Sequence, residues 1–190
     1  MSTDRILLDS NAYFRLADTI PTLLSTIFGK SSEIQLRILG GTAHEFYYEP
    51  RLRSKFSWAD KAAHKEERKV GKLIVPSIVK NEIAKIKPFM LDASNDMDLT
   101  CSRFDIECLA CAKCLNIPLV TDDLDLRTLA GEYDVATLST LELLKLMLDN
   151  GRITLDEVQA TVVMWDYLDD YPADFLGEFR RLFATDPERL

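Results

Sequence analysis

No run of about 18 consecutive apolar residues occurs in this chain, so a membrane-spanning helix is not expected. The opening MSTDRILLDS carries charge where a secretory signal needs a long apolar core, and the expected compartment is the cytoplasm. There is no internal repeat and no low-complexity segment. Gly40-Gly41 is the only glycine doublet, which leaves no Gly-rich phosphate loop of the nucleotide-binding kind. The cysteines are not spread as a disulfide framework requires: Cys101, Cys108, Cys111 and Cys114 fall within fourteen residues. C-x2-C-x2-C raises the question of a metal site, but ligands three and six apart on a continuous helix diverge around its axis, and no histidine lies nearby. Small apolar packing is the expected role of these thiols. His44 and His64 sit in no metal-ligand spacing and read as surface residues. Positive charge is also short, since a net charge of −8 argues against a broad, nonspecific nucleic-acid binder.

What is present is the composition of a globular protein, with 47% hydrophobic and 28% charged residues in 190, enough for one domain and a C-terminal elaboration. The charge is unevenly spread. Arg51 to Lys72 holds eight Lys/Arg against three acids, a local +5, which leaves −13 for the remainder.

The most informative stretch is Ser102 to Leu126, SRFDIECLACAKCLNIPLVTDDLDL. Ser102 and Asp105 have the spacing of a reciprocal helix cap. Phe104, Cys108, Cys111 and Leu115 recur on one helical face, and Ile106, Leu109, Ala110 and Ala112 fill most of the rest, so this helix is expected to be covered on several sides. Asn116 is suited to end it. Ile117 to Val120 then reads as a strand buried in a parallel sheet, with Thr121, Asp122, Asp123 and Asp125 at its carboxyl end. Ligands of open α/β sheets bind outside the carboxyl ends of the strands.

Taken in order, Arg5 to Leu8 reads as an opening strand with Asp9-Ser10-Asn11 at its end. A helix is expected over Ala12 to Ala17 and a second over Thr22 to Phe28, stopped by Gly29. Residues 34–39 alternate as a half-buried strand. Thr42 is expected to cap a helix through Glu45 and Phe46. Arg51 to Lys72 reads as a basic helical stretch. An apolar run, Leu73 to Ile78, is broken by Pro76, a helix is expected over Lys80 to Lys87, and Asp92 to Thr100 reads as a polar loop. Beyond the central stretch come a short helix over Leu126 to Gly131, an edge strand over Tyr133 to Leu138, and a helix over Leu141 to Leu148. A capping box at Thr154 to Glu157 opens a helix through Leu168, and Ala173 to Ala184 forms a final amphipathic helix. Alternating strands and helices imply an α/β fold, a three-layer α/β/α arrangement around a mostly parallel sheet, with C-terminal helices added.

Asp9, Glu45, Asp105 and Asp123 all fall near strand ends or helix starts. Carboxylates crowded together raise one another's pKa unless a cation compensates. Hard divalent cations prefer oxygen ligands, and such a site activates water and supports in-line displacement at phosphorus. In these stretches the chain resembles the PIN-domain family of metal-dependent ribonucleases, over about residues 4 to 140. ILLDSNAYFRLA is similar to the family's opening strand and first acid, Asp9. SRFDIECLACAKCLNIPLVTDD is similar to its D-x3-L-A-x-A helix followed by an apolar strand and T-x-D, which makes Asp105 the third acid, Asp123 the fourth and Thr121 the motif threonine. For the second acid the family's spacing favours Glu45, 36 residues after Asp9, over Glu82, which leaves only 23 residues before Asp105.

The resemblance implies a PIN-like nuclease domain over residues 1–140, with a helical extension over 141–190 packed on it. It implies an endoribonuclease using Mg2+ or Mn2+ held by Asp9, Glu45, Asp105 and Asp123, an RNA substrate, and in many relatives a protein antitoxin and a homodimer. Ser10 and Asn11 are placed to bond the pocket carboxylates, and Asp122 and Asp125 read as outer or surface acids. The length of the chain departs from the compact toxins of the family. Arg51, Arg53 and Lys55, followed by Phe56 and Trp58 as stacking faces, are the expected RNA contacts. Two other classes fit less well. A phosphoacceptor domain needs a lysine at a later strand end, and a D-x-D-x-T hydrolase is excluded by Asp9-Ser10-Asn11. A PIN-like scaffold that binds RNA or protein without cleaving is the alternative function.

Overall fold

The computed structural model describes residues 4–31, 33–48, 50–172 and 174–188, with the backbone but not the side chain of Arg51. Four parallel strands form one sheet in the order β2-β1-β3-β4: β1 (Asp4–Leu8), β2 (Ile34–Ile38), β3 (Leu119–Val120) and β4 (Thr137–Leu138). Around it lie α1 (Ser10–Leu16), α2 (Gly41–Tyr48), α3 (Pro50–Lys55), α4 (Ala62–Val70), α5 (Ser77–Asp96), α6 (Arg103–Leu115) and α7 (Leu124–Glu132). After them come α8 (Thr140–Asp149), α9 (Leu155–Leu168) and α10 (Phe175–Phe183).

Side chains alternate across a strand, and both faces of this sheet carry buried apolar residues. Ile6, Leu8, Leu36, Ile38 and Val120 pack with residues of α1, α2, α8, α9 and α10. Leu7 and Leu119 point the other way, into a second core built with α5, α6 and α7. The molecule is therefore a three-layer α/β/α fold, with its C-terminal helices sharing the core under one face of the sheet. No helix among the described residues is long and apolar enough to cross a membrane.

α6 is covered as its composition implies, with Ile106, Cys108, Leu109, Ala110, Cys111 and Ala112 all buried. Its cysteines are free thiols in this packing, and burial pushes Cys111 up to about 12. Asn116 ends the helix in the left-handed region, at φ 50°.

Several local expectations are corrected. Thr22 to Phe28 is not a helix but a turn running on to a bridge, because one helical bond, from the Thr26 N–H to the Thr22 carbonyl, is all that forms within it: the Leu24 N–H donates to the Glu67 carboxylate at 3.0 Å, and Phe28 pairs with Ile34. The apolar run Leu73 to Ile78 forms no strand of its own. Lys72 makes one parallel bridge to Ile38, after which Pro76 turns the chain into α5. That helix runs Ser77–Asp96 and absorbs most of the expected polar loop, since Met90 and Ser94 supply a buried face. Thr42 is no cap; it lies inside the first turn of α2, fully buried.

Arg51 to Lys72 is broken into α3, a 3-10 turn at Ser57–Asp60 and α4. The aromatic residues cause the break. Phe56 is 2% exposed and Trp58 8%, and both pack on Phe14 of α1, so neither offers a face to a base. Ala173, at the start of the expected last helix, lies outside the described residues.

Phe14 is the hub of this aromatic cluster, with Phe46 and Phe56 both at 5.4 Å between ring centroids. Phe14→Ala is expected to cost about 3–5 kcal/mol, the usual loss on deleting a buried aromatic ring. Urea unfolding measures it; a loss below about 1 kcal/mol would place the ring outside the cooperative core.

Candidate functional site

Asp9 stands where β1 becomes α1. Its backbone N–H still belongs to the sheet, donating to the Val120 carbonyl at 3.1 Å, while its carboxylate caps the helix by accepting from the Ala12 N–H at 2.7 Å. The side chain also bonds Thr121, at the end of β3. Asp105 is likewise held at a helix start. Its carboxylate accepts from the Ser102 N–H at 2.8 Å, and the Ser102 hydroxyl accepts from the Asp105 N–H at 3.1 Å. Glu45, one turn into α2, accepts from the Ser10 hydroxyl. Asp9, Glu45 and Asp105 line one cleft of about 350 Å3, together with Ser10, Asn11 and Ser102.

Asp123 is placed differently. It caps α7 by accepting from the Leu126 N–H at 2.9 Å and is absent from the cleft lining, although its charge acts on Asp105. Glu82 is exposed on α5 and away from the cleft, its charge acting on Cys114, so the acid that α2 brings in is Glu45. Among the described residues no three His, Cys, Asp or Glu side chains gather closely enough to hold a metal ion. The carboxylates that line the cleft offer oxygen donors, which suit a hard divalent cation that keeps much of its water, and the cations Arg15 and Lys55 line it beside them.

The electrostatics follow from burial. Asp9 is 3% exposed, and loss of water pushes its carboxyl up to about 7, against the bonds from Thr121 and Ala12 and with help from the charges of Asp122 and Asp105. Asp105 is also raised, first by burial and then by Asp123, although its Ser102 bonds oppose this.

Beside the acids lies a second network that the sequence did not signal. Arg15 of α1 grips Asp170 with two bonds of 3.2 Å and Asp122 with one of 2.6 Å. Lys55 meets Asp170 at 2.9 Å. Burial alone would raise Asp170, but Arg15 and Lys55 outweigh it and hold the carboxyl below its ordinary range. Asp122 also accepts from the Thr140 N–H at 2.8 Å and from its hydroxyl, so it is a structural acid tying β3 to α8. Asp125 binds Thr100. Asp170 lies 155 residues from Arg15, beyond the reach of any local pattern.

The expected RNA contacts fall unevenly: Arg53 is exposed, Lys55 is engaged by Asp170, and the side chain of Arg51 lies outside the described residues. His44 is exposed against Tyr48, but His64 is half-buried and packs edge-on to Trp58 at 4.5 Å. No family model matches this chain, and no curated protein and no solved structure matches it.

A carboxyl raised from 3.8 to about 7 binds a proton more tightly in the folded than in the unfolded chain. Its contribution is present in full below about pH 4 and is lost as pH rises through about 7, up to roughly 4 kcal/mol. Asp9→Asn keeps a good capping side chain and removes that titration. The variant is expected to match or exceed the wild type in stability at pH 8 without added metal, with the gap closing towards pH 4. His64, whose pKa burial lowers, works in the opposite sense at mildly acidic pH, so the difference between the two proteins is what urea titrations must compare. A difference that does not vary with pH would show that Asp9 is ionised throughout.

Proposed function

We propose that this protein is a PIN-like, divalent-metal-dependent endoribonuclease whose chemistry is centred on Asp9. The observation that carries this reading is the meeting of Asp9, Glu45 and Asp105 in one cleft beyond the carboxyl end of the central strand, with Asp9 out of water. A buried carboxyl among other acids stabilises a cation, and its neighbours here supply hard oxygen ligands. Asp9 and Asp105 are the residues that would hold Mg2+ or Mn2+, with Glu45 and Asp123 acting through water. When bound, the ion would supply positive charge to a phosphodiester oxygen and lower the pKa of the attacking water.

The chain's own residues supply the rest. Ser10 anchors the Glu45 carboxylate, leaving it to orient water through the hydrogen bonds it accepts. Thr121 holds Asp9 in place, as the threonine of the T-x-D motif. Arg53, with Arg51 and Lys55, is proposed to steady RNA phosphates at the rim, which for Lys55 means exchanging Asp170 for the substrate.

One observation favours a second reading, a PIN-like scaffold that binds without cleaving. Arg15 and Lys55, the cations of the cleft, are both engaged by the protein's own acids.

Cleavage of a labelled RNA separates the two. Hydrolysis is expected with Mg2+ or Mn2+ and none in EDTA. Asp9→Asn and Asp123→Asn should each lose at least about 100-fold in rate while retaining the thermal midpoint, because several kcal/mol of charge stabilisation depend on the ion. Cleavage that persists in Asp9→Asn, or is absent under every metal condition, would end the nuclease reading.

A further inference from the structure

The two bases of the cleft, Arg15 and Lys55, are held by acids, and bases without acidic partners are gathered elsewhere. Parallel pairing sets Arg5 of β1 opposite Gln35, and Arg37 of β2 opposite Leu7. Because alternate residues share a face, both guanidinium groups lie on the α5–α6 side of the sheet. Arg37 is anchored there by donating to the Val70 carbonyl at 2.9 Å and to Gln35 at 2.6 Å, neither of them an acid. Lys72 lies across Gly40 so closely that a Cβ at that glycine would meet its Cε at 2.7 Å. With Lys69 and Lys80 these residues line a groove of about 820 Å3.

The only acid lining the groove among the described residues is Glu107, and it already binds Lys87 at 2.9 Å. Lys69 has Glu66 at 3.0 Å, but both side chains are more than 60% exposed, where such a pair contributes little. Among the described residues Arg5, Arg37, Lys72 and Lys80 have no acidic partner. Burial and the nearby charge of Arg5 together lower the pKa of Arg37. In a chain of net charge −8, this is an uncompensated positive channel.

Its position ties it to the acidic cleft. Gly40 and Gly41 line the groove, whereas Glu45, about 6 Å further along α2, lines the cleft. The start of α6 divides in the same way, with Ser102 and Asp105 in the cleft and Glu107 in the groove. We infer that the groove of Arg5, Arg37, Lys69, Lys72 and Lys80 is the track for the sugar–phosphate backbone of an RNA strand that reaches the acidic cleft over this shared wall. The choice of RNA rests on the ribonuclease reading; the demand for a linear polyanion rests on the groove alone. The wall shared with the cleft favours a substrate strand over an acidic polypeptide.

The test is equilibrium binding of a fluorescent 12-nucleotide RNA in EDTA, where no cleavage intervenes, across a range of salt. Arg37→Ala/Lys72→Ala/Lys80→Ala is expected to bind at least about tenfold more weakly and to flatten the log–log salt slope by about 2, since each lost phosphate contact on a single strand removes roughly 0.7. All three side chains reach the surface, and the thermal midpoint should hold. Lys61→Ala/Lys65→Ala, outside the groove lining, should change the slope by less than half as much. Loss confined to that second variant, or an unaltered slope in the first, would overturn the inference, as would tighter binding of polyglutamate than of RNA. If the groove variant loses binding and no RNA is ever cleaved, the track stands and the nuclease reading falls. If cleavage depends on Asp9 while the groove variant binds RNA unaltered, the nuclease reading stands and the track falls.

Discussion

A carboxyl group deprived of water at the end of the central strand is the constraint on which the rest of the structure depends. Asp9 belongs to two elements at once, bonded through its backbone to the Val120 carbonyl and through its side chain to the first turn of α1. Because β1 lies between β2 and β3, the residue has protein on both sides, and both faces of the sheet are covered. Leaving a charge in such a place is costly unless a proton or a cation joins it. The surrounding groups do not remove that cost. Thr121 and the Ala12 N–H favour the ion, whereas Asp122 and Asp105 oppose it. The result is a carboxyl poised near neutrality, the condition in which binding a cation does most for an acidic pocket.

The network beside it works on geometry more than on stability. Arg15, Asp122, Asp170 and Lys55 are largely buried ion pairs, and such pairs return little net free energy once their lost hydration is counted. They do join distant parts of the chain. Asp122 binds the start of α8, Asp170 follows α9, and the Trp165 indole donates to the Arg15 carbonyl at 2.9 Å. One wall of the acidic cleft is therefore supplied by the C-terminal segment, which explains why its helices share a core with the sheet.

Charge is sorted across the molecule in a way that overall composition conceals. Part of the basic stretch that stands out in the linear sequence is consumed: Arg68 is buried and donates to the Ala59 carbonyl, Lys65 pairs with Asp60, and Lys55 meets Asp170. The bases that line the open groove come from β1, β2, the start of α5 and the end of that stretch, at Lys69 and Lys72. Folding thus divides that stretch and joins its last lysines to bases of the sheet and of α5.

Local patterns sufficed for much of this protein. The helix and turn around Asp105 and Asn116, the apolar strands, the α/β class, the helix-start position of Asp105 and the strand-end position of Asp123 were all legible, because caps, periodicity and buried strand composition are written in neighbouring residues. Where those patterns misled, a distant partner had taken over. Leu24 bonded to Glu67 instead of continuing a helix, Phe56 and Trp58 were drawn under Phe14, and the face of α5 carrying Met90 extended a helix through an acidic stretch. The same division holds at the site. The sequence by itself determined which acids stand at strand ends and helix starts, since those are local facts. Only the tertiary structure decided that Asp9, Glu45 and Asp105 share a cleft while Asp123 caps a helix outside its lining, and that Asp170 closes on Arg15. Long-range packing sets which ends meet, and no spacing along the chain encodes a contact 155 residues apart.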